Sequence, residues 1–129
     1  MFSGCDALYA LPDLSKMDTT NIICFNQMFD GCSSLTKLSD LSKWDTKNVK
    51  NLKKMFNDCS SLTELPDISK WDISKVKDIS FLFSKCTSLI KIPDISKWNT
   101  INIVSMTGLF NECPLIRELP DIFFVNALH

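Results

Sequence analysis

The sequence predicts an α/β solenoid of the leucine-rich-repeat type, with 27-residue repeats, short parallel strands on one face and short helices on the other. Two observations lead to this prediction. Cysteines recur every 27 residues, at Cys5, Cys32, Cys59, Cys86 and Cys113. Tryptophans recur with the same period, at Trp44, Trp71 and Trp98. A fixed period of about 20 to 50 residues is typical of folds in which each unit buries its apolar face only against its neighbours.

The chain is long enough for one such domain. Its 129 residues make about 4.8 repeats, and roughly three are needed for a shared core. We therefore expect a single domain over residues 1–129. Met1 and Phe2 are already in phase with Met28 and Phe29. Either Met1 belongs to the repeat by chance, or the chain is part of a longer protein, and we expect the second.

The second half of each repeat predicts a short helix. In the repeat that begins at Cys59, apolar residues fall at Val76, Ile79, Leu82 and Phe83. Spacings of three, three and one place these side chains on one helical face. Asp72 stands just before them, and an aspartate can cap the free N–H groups of a helix.

The first half of each repeat predicts a short strand. Pro66 is excluded from a helix interior, and it biases Leu65 toward extended geometry. The same proline recurs in other repeats, with Ser39 as the exception. We expect strands at Leu65–Ser69 and its equivalents to stack into a parallel sheet, with Leu62, Leu65, Ile68 and Trp71 as further core positions.

Composition excludes several classes of partner. The net charge is −1, and Arg117 is the only arginine. Without a basic balance or arginines for base and phosphate recognition, nucleic acid is not an expected partner. No apolar stretch reaches the length of about 18 residues that a membrane span needs. We also expect no cofactor.

The cysteines predict buried, reduced thiols. Five of the six share one repeat position, so their side chains point the same way at a spacing of about 4.8 Å. A disulfide instead needs converging Cβ atoms about 3.8 Å apart. Cys24 lies outside this series and is the thiol that we expect to be exposed.

An in-phase row of aspartates is the candidate binding surface. If Ile68 points into the core, Asp67 and Ser69 point outward on the strand face. The functional interpretation is a row that receives basic groups of a partner or a hard cation such as calcium, and the simpler interpretation, which the residues alone favour, is a solvated face neutralised by neighbouring lysines. The predicted binding face comprises Asp13, Asp40, Asp67, Asp94, Asp121, Ser42, Ser69 and Ser96.

Other side chains suggest less. The tryptophans could stack on sugars or bases, but we expect them to close the core. Lysines at positions 47, 50, 53 and 54 form a basic patch that is expected to be a solvated helix side. His129 is the only histidine, so neither a Ser-His-Asp arrangement nor a zinc site has its usual ligands. We expect no catalytic residue, no metal site and no enzymatic activity.

The repeat resembles the BspA-like leucine-rich repeats of bacterial and mycoplasma surface proteins and of some protists. The resemblance covers Met1 to about Ile122, with Phe29–Cys32, Leu35, Leu38 and Trp44 as its typical carriers. It implies a surface protein of the adhesion or protein-binding kind. The location would then be the cell surface or outside the cell if the parent protein is family-like, and the cytoplasm otherwise.

Two functions are carried forward. The first is a non-enzymatic binding module whose strand face holds a protein or a glycan. The second is a structural assembly subunit that self-associates through its ends. Phe123 and Phe124 stand where the previous repeat has Ser96 and Lys97, and large apolar groups at formerly polar positions indicate either a cap or a contact.

Overall fold

Residues one repeat apart lie side by side in the computed structural model, which describes Gly4 and residues 13–117. Parallel β-bridges join Cys24 to Asn51, Asn51 to Asp78, and Asp78 to Ser105, and a further bridge joins Glu64 to Lys91. Each step is 27 residues. The repeats therefore contact one another in register, as the cysteine period predicts.

The predicted secondary structure is wrong. Within Gly4 and residues 13–117 no residue belongs to a helix, and β pairing is limited to isolated single-residue bridges. There is thus no parallel sheet and no layer of helices in this part of the chain. The chain is not an α/β leucine-rich-repeat solenoid; its repeats consist of turns and irregular backbone.

The expected helix fails because its amides are divided between two directions. The amides of Leu52 and Lys54 donate to carbonyls one repeat ahead, at Asp78 and Ser80, both at 3.0 Å. Met55 instead donates within its repeat, to the Leu52 carbonyl at 3.1 Å. An α-helix requires every amide to bond four residues back, so this alternation yields successive β-turns instead.

Backbone dihedral angles also exclude a helix in this part of the repeat. Lys54 and Asp58 have φ of 58° each, and Phe81 and Lys85 have φ of 56° and 60°. These values are left-handed, and one such residue ends a right-handed helix. A positive φ at the third residue is what a type II turn requires. Positive φ recurs at the same two positions of every described repeat. The first position comprises Gln27, Lys54, Phe81 and Gly108, and the second comprises Gly31, Asp58, Lys85 and Glu112.

The expected strand does not form because a proline interrupts the backbone pairing in both neighbouring segments. Pro66 and Pro93 have no amide to donate, so pairing cannot continue past the Glu64–Lys91 bridge. The Ser69 amide then turns back to the Asp67 carboxylate at 2.9 Å. The Trp71 amide closes a further turn onto the Ile68 carbonyl at 3.2 Å.

The predicted core positions are correct although the backbone differs. All eight apolar positions of the central repeat are buried: Leu62, Leu65, Ile68, Trp71, Val76, Ile79, Leu82 and Phe83. Aromatic rings from successive repeats stack through this core. Phe56 lies 5.6 Å from Phe29 and 6.0 Å from Phe83 between ring centroids. Trp44 and Trp71 lie 6.1 Å apart and within 2° of parallel.

The prediction that the tryptophans close the core is confirmed by their burial. Trp44, Trp71 and Trp98 are 4 to 6% exposed. Each indole N–H donates to a carbonyl of the preceding repeat, Trp71 to Leu41 at 3.0 Å and Trp98 to Ile68 at 3.0 Å. A buried indole needs such an acceptor, and here the acceptor fixes one repeat against the next.

Candidate functional site

The aspartates of the predicted binding face are exposed and held in a common geometry. Each carboxylate accepts the backbone N–H of the serine two residues later, which is an Asx-turn. The N–O distances are 2.9 to 3.0 Å, for the pairs Asp13–Ser15, Asp40–Ser42, Asp67–Ser69 and Asp94–Ser96. We call Asp13, Asp40, Asp67 and Asp94 the aspartate row. Asp121 lies outside the described residues.

Serines, more than lysines, set the ionisation of this row. The pKa of Asp67 is lowered chiefly by the Ser69 hydroxyl and amide, and the Lys70 charge contributes less. The pKa of Asp40 is lowered first by the Ser42 amide and then by its hydroxyl. The pKa values of Asp13 and Asp94 are lowered by the same contacts. The row therefore stays charged at neutral pH.

A depression in the surface lies beside two members of the row. Its volume is about 410 Å³, and it runs along the Glu64–Lys91 bridge. Its lining carries both signs of charge together with apolar groups, and comprises Glu64, Leu65, Asp67, Ser69, Lys91, Pro93 and Asp94. Ser69 and two predicted aspartates thus share one concave surface.

Asx-turns also occur in a second row, which the sequence suggested only as helix caps. Asp72 accepts the Ser74 amide at 2.9 Å, and Asn99 accepts the Ile101 amide at 3.2 Å. Asp18 and Asp45 occupy the same position in earlier repeats. An in-phase aspartate is therefore first a turn-forming residue. What distinguishes the aspartate row is the depression beside it.

The predicted burial is confirmed for Cys32, Cys59 and Cys86 and the predicted exposure for Cys24, whereas Cys113 is less buried than predicted. All five are free thiols; Cys24 is exposed, Cys113 is half-buried and the other three are buried. Cys59 and Cys86 donate to the carbonyls of Phe29 and Phe56, at 3.2 and 3.1 Å.

The pKa values of the thiols differ because their burial and their polar contacts differ. Burial raises the pKa of Cys59 far above its usual range. The interaction between the neighbouring Cys86 and Cys113 thiols raises the pKa of Cys86, with burial as a further cause. The same interaction lowers the pKa of Cys113 to about 7. In residues 13–117 no three potential metal-binding side chains converge.

One surface feature could not be found by searching for repeated polar residues. Ile101 and Val104 are 53% and 76% exposed, where the preceding repeats have polar side chains such as Lys47 and Lys50. Those two lysines and Lys53 are exposed, as expected for the basic patch. Phe123 and Phe124, the predicted end contact, lie outside the described part of the chain.

Comparison with known proteins gives a family. The family model described as "Mycoplasma protein of unknown function, DUF285" matches residues 1–121. No curated protein and no solved structure matches the chain. A bilayer-spanning helix is not found among the described residues. A match over nearly the whole sequence shows that the chain belongs to the DUF285 family.

Proposed function

We propose that this chain is a non-enzymatic binding module, of the protein-binding or adhesion kind, whose ligand surface is the aspartate row. The observation behind the proposal is the fixed orientation of exposed carboxylates beside a depression of about 410 Å³. Asp67 and Asp94 are each anchored by an amide and a hydroxyl. Groups held in place before binding lose less entropy when a ligand arrives.

The chemistry of the row favours a basic protein segment or a polyhydroxylated glycan. Carboxylates accept hydrogen bonds from ammonium, guanidinium and hydroxyl groups. Successive carboxylates belong to successive repeats, so a ligand that lies along the row meets several of them. Each exposed pair contributes little, and affinity would come from their number.

We also infer a relationship to the BspA-like surface proteins, and with it a location at the cell surface. Support comes from the repeat residues around Phe29–Cys32 and from membership of a family described as mycoplasmal. The structure does not have the leucine-rich-repeat backbone, so this inference concerns sequence relationship and role only.

A basic peptide tests the row. Asp40→Asn, Asp67→Asn and Asp94→Asn in one variant should weaken binding of an oligolysine peptide by about tenfold, because three attractive pairs are lost. Binding should also lose much of its dependence on salt. The turns should survive, since Asn99 already forms the same turn with an amide oxygen. Titration calorimetry at two salt concentrations gives both quantities.

The second row supplies a matched control. Asp18→Asn, Asp45→Asn and Asp72→Asn change net charge by the same amount at the same type of turn. That variant should keep most of the affinity. Equal losses in the two variants would mean that the peptide responds to net charge alone, and the proposal would then be wrong.

A further inference from the structure

The lysine side of the molecule forms a second surface, on which apolar and basic residues occupy the same position of consecutive repeats. Backbone bonds run from Lys50 N to Ile23 O at 2.7 Å, from Lys77 N to Lys50 O at 3.0 Å, and from Val104 N to Lys77 O at 2.8 Å. These four residues therefore stand on consecutive rungs. We call Ile23, Lys50, Lys77 and Val104 the lysine ladder.

The ladder carries exposed apolar groups at both ends and exposed cations between them. Ile23 is 59% exposed and Val104 is 76% exposed. The two lysines are exposed, and within the described residues their ammonium groups make no hydrogen bond or ion pair. Lys53 adds a further exposed cation at the side, and Ile101 a further apolar group beside Val104.

We propose that the lysine ladder binds an extended acidic segment of another protein, with apolar residues at positions i and i+4 and a carboxylate at i+2. This surface is separate from the aspartate row, and the proposal does not depend on the function proposed for that row.

The spacing supports this occupant. Three rungs at about 4.8 Å separate Ile23 from Val104 by about 14 Å. Four residues of extended chain also cover about 14 Å, at about 3.4 Å per residue. Residues i, i+2 and i+4 of an extended segment point to one side. Its end residues would contact Ile23 and Val104, and its central carboxylate would lie between Lys50 and Lys77.

Recognition must come from side chains. The amides of Lys50, Lys77 and Val104 are already bonded along the ladder, so an incoming strand cannot add to it by backbone pairing. Lysine binds carboxylates as a point charge with several possible geometries. The apolar ends therefore set the register of the segment, and the cations favour its acidic character.

Two other occupants fit less well. A second copy placed symmetrically on this face would bring lysines against lysines, which is repulsive. An anionic bilayer responds to clustered cations and not to their register, so it gives no role to the placement of Lys50 and Lys77 between two apolar rungs.

A pair of short peptides tests the spacing. The probe has the core Leu-Asp-Glu-Asp-Leu, and its permuted partner Asp-Leu-Glu-Leu-Asp has the same composition with leucines two residues apart. We expect the probe to bind with a dissociation constant below about 1 mM and at least about fivefold more tightly than the permuted peptide. Fluorescence anisotropy measures both. Equal binding of the two, or no binding of the probe, would overturn the proposal.

Variants locate the site. Lys50→Glu with Lys77→Glu should weaken probe binding by at least about tenfold. Lys43→Glu with Lys70→Glu makes the same change on consecutive rungs beside the aspartate row, at exposed positions, and should weaken it far less. Val104→Ser should reduce affinity about threefold without changing the salt dependence, since it removes apolar contact only. The milder Lys50→Gln with Lys77→Gln serves if the reversed charges disturb folding.

Three other outcomes would contradict the proposed peptide site. Equal loss in the two lysine pairs would assign binding to net charge and reject the ladder. If the wild-type protein binds phosphatidylserine vesicles more tightly than it binds the probe, and the variant with Lys50→Glu and Lys77→Glu does not bind them, the ladder is a lipid-binding surface instead. Sedimentation showing self-association that this variant abolishes would identify a second copy. Either result contradicts a peptide site.

Discussion

At the scale of single residues, the repeated side chains act as links between neighbouring repeats. The Trp71 indole bonds to Leu41, the Cys59 thiol to Phe29, and the Thr46 hydroxyl to Asp72. Each of these donors is buried, and its acceptor is a main-chain carbonyl. The period of the cysteines thus has a structural reason, because a buried thiol such as that of Cys59 finds an acceptor in the preceding repeat, and a buried donor left unpaired costs about 1–3 kcal/mol.

The thiols should differ in reactivity in a fixed order. A thiolate-directed alkylating reagent should label exposed Cys24 first and Cys113 second, and the three buried cysteines only after unfolding. Because the pKa of Cys113 is about 7, its labelling rate should level off a little above that pH. Mass spectrometry of timed samples resolves the sites.

Cys86→Ser supplies the control for Cys113. This variant replaces the thiol that lowers the pKa of Cys113, so the labelling profile of Cys113 should move to a different pH while that of Cys24 stays where it is. Rapid native labelling of Cys59 would contradict the burial on which this order rests.

At the scale of the structural element, the repeated unit is a series of turns that require left-handed backbone. Six residues other than glycine adopt φ between 56° and 60°. Such residues are uncommon and carry strain. Five of them donate their own amides to carbonyls of the adjacent repeat, as Phe81 does to Thr107 at 2.9 Å, and these bonds maintain the strained conformation; the five are Gln27, Lys54, Asp58, Phe81 and Lys85.

Gly108 shows how closely the turns approach. A Cβ at this position would lie 2.5 Å from the Phe81 ring, whereas a Cβ at Gly31 would meet only backbone atoms at 3.5 Å. Both glycines have positive φ, 66° and 75°. Gly108→Ala should therefore destabilise the protein by about 2–3 kcal/mol, through backbone strain of about 1–2 kcal/mol together with the clash.

Gly31→Ala isolates the backbone contribution and should cost only about 1–2 kcal/mol. Urea unfolding monitored by tryptophan fluorescence compares the two. If both variants lose the same stability, the contact between Phe81 and Gly108 has no energetic consequence.

The core was predictable from the sequence and the backbone was not. The 27-residue period identified the residues that stack, and Ile68 and Phe83 are fully buried as expected. The spacing of Val76, Ile79 and Leu82 suits a helix, but a turn that repeats every three residues buries the same side chains. The helix and the series of turns differ only in whether backbone amides bond to the adjacent repeat, and the spacing of apolar residues does not depend on that pairing.

The candidate site was predictable in position but not in its local chemistry. The repeat placed Asp40 and Asp67 on one surface, and both are exposed. Their main contacts are the Ser42 and Ser69 amides and hydroxyls, which the expectation of lysine neighbours missed. Asp-x-Ser is a recognised turn signal, so that part could have been found.

At the scale of the whole molecule, like charges recur in rows along the repeats although the net charge is only −1. The aspartate row and the lysine ladder are different sets of in-phase residues. Because each row has one residue per repeat, the charge of that residue type is repeated along the whole surface. The same repetition makes several carboxylates respond to pH together.

Acid should therefore destabilise the protein through its Asx-turns. Six aspartates have a pKa below the ordinary value of 3.8 in the folded chain: Asp13, Asp18, Asp40, Asp67, Asp72 and Asp94. The unfolded chain takes up protons at higher pH than the folded one, so these groups stabilise the fold above about pH 4 and lose that effect as pH falls through their lower folded pKa values. We expect a melting temperature that is level from neutral pH to about pH 5 and falls below about pH 4.

Salt and substitution separate this effect from general charge repulsion. As the carboxylates are protonated the lysines leave the protein positively charged, and added salt screens that repulsion. Short hydrogen bonds such as Ser74 to Asp72, at 2.6 Å between hydroxyl and carboxylate, are screened much less, so the fall should persist in high salt. Asp13→Asn, Asp40→Asn, Asp67→Asn and Asp94→Asn together should make the fall shallower, because an amide does not titrate and only two of the six carboxylates remain. A melting temperature unchanged down to about pH 3, or a fall abolished by salt alone, would show that the Asx-turns do not control acid stability.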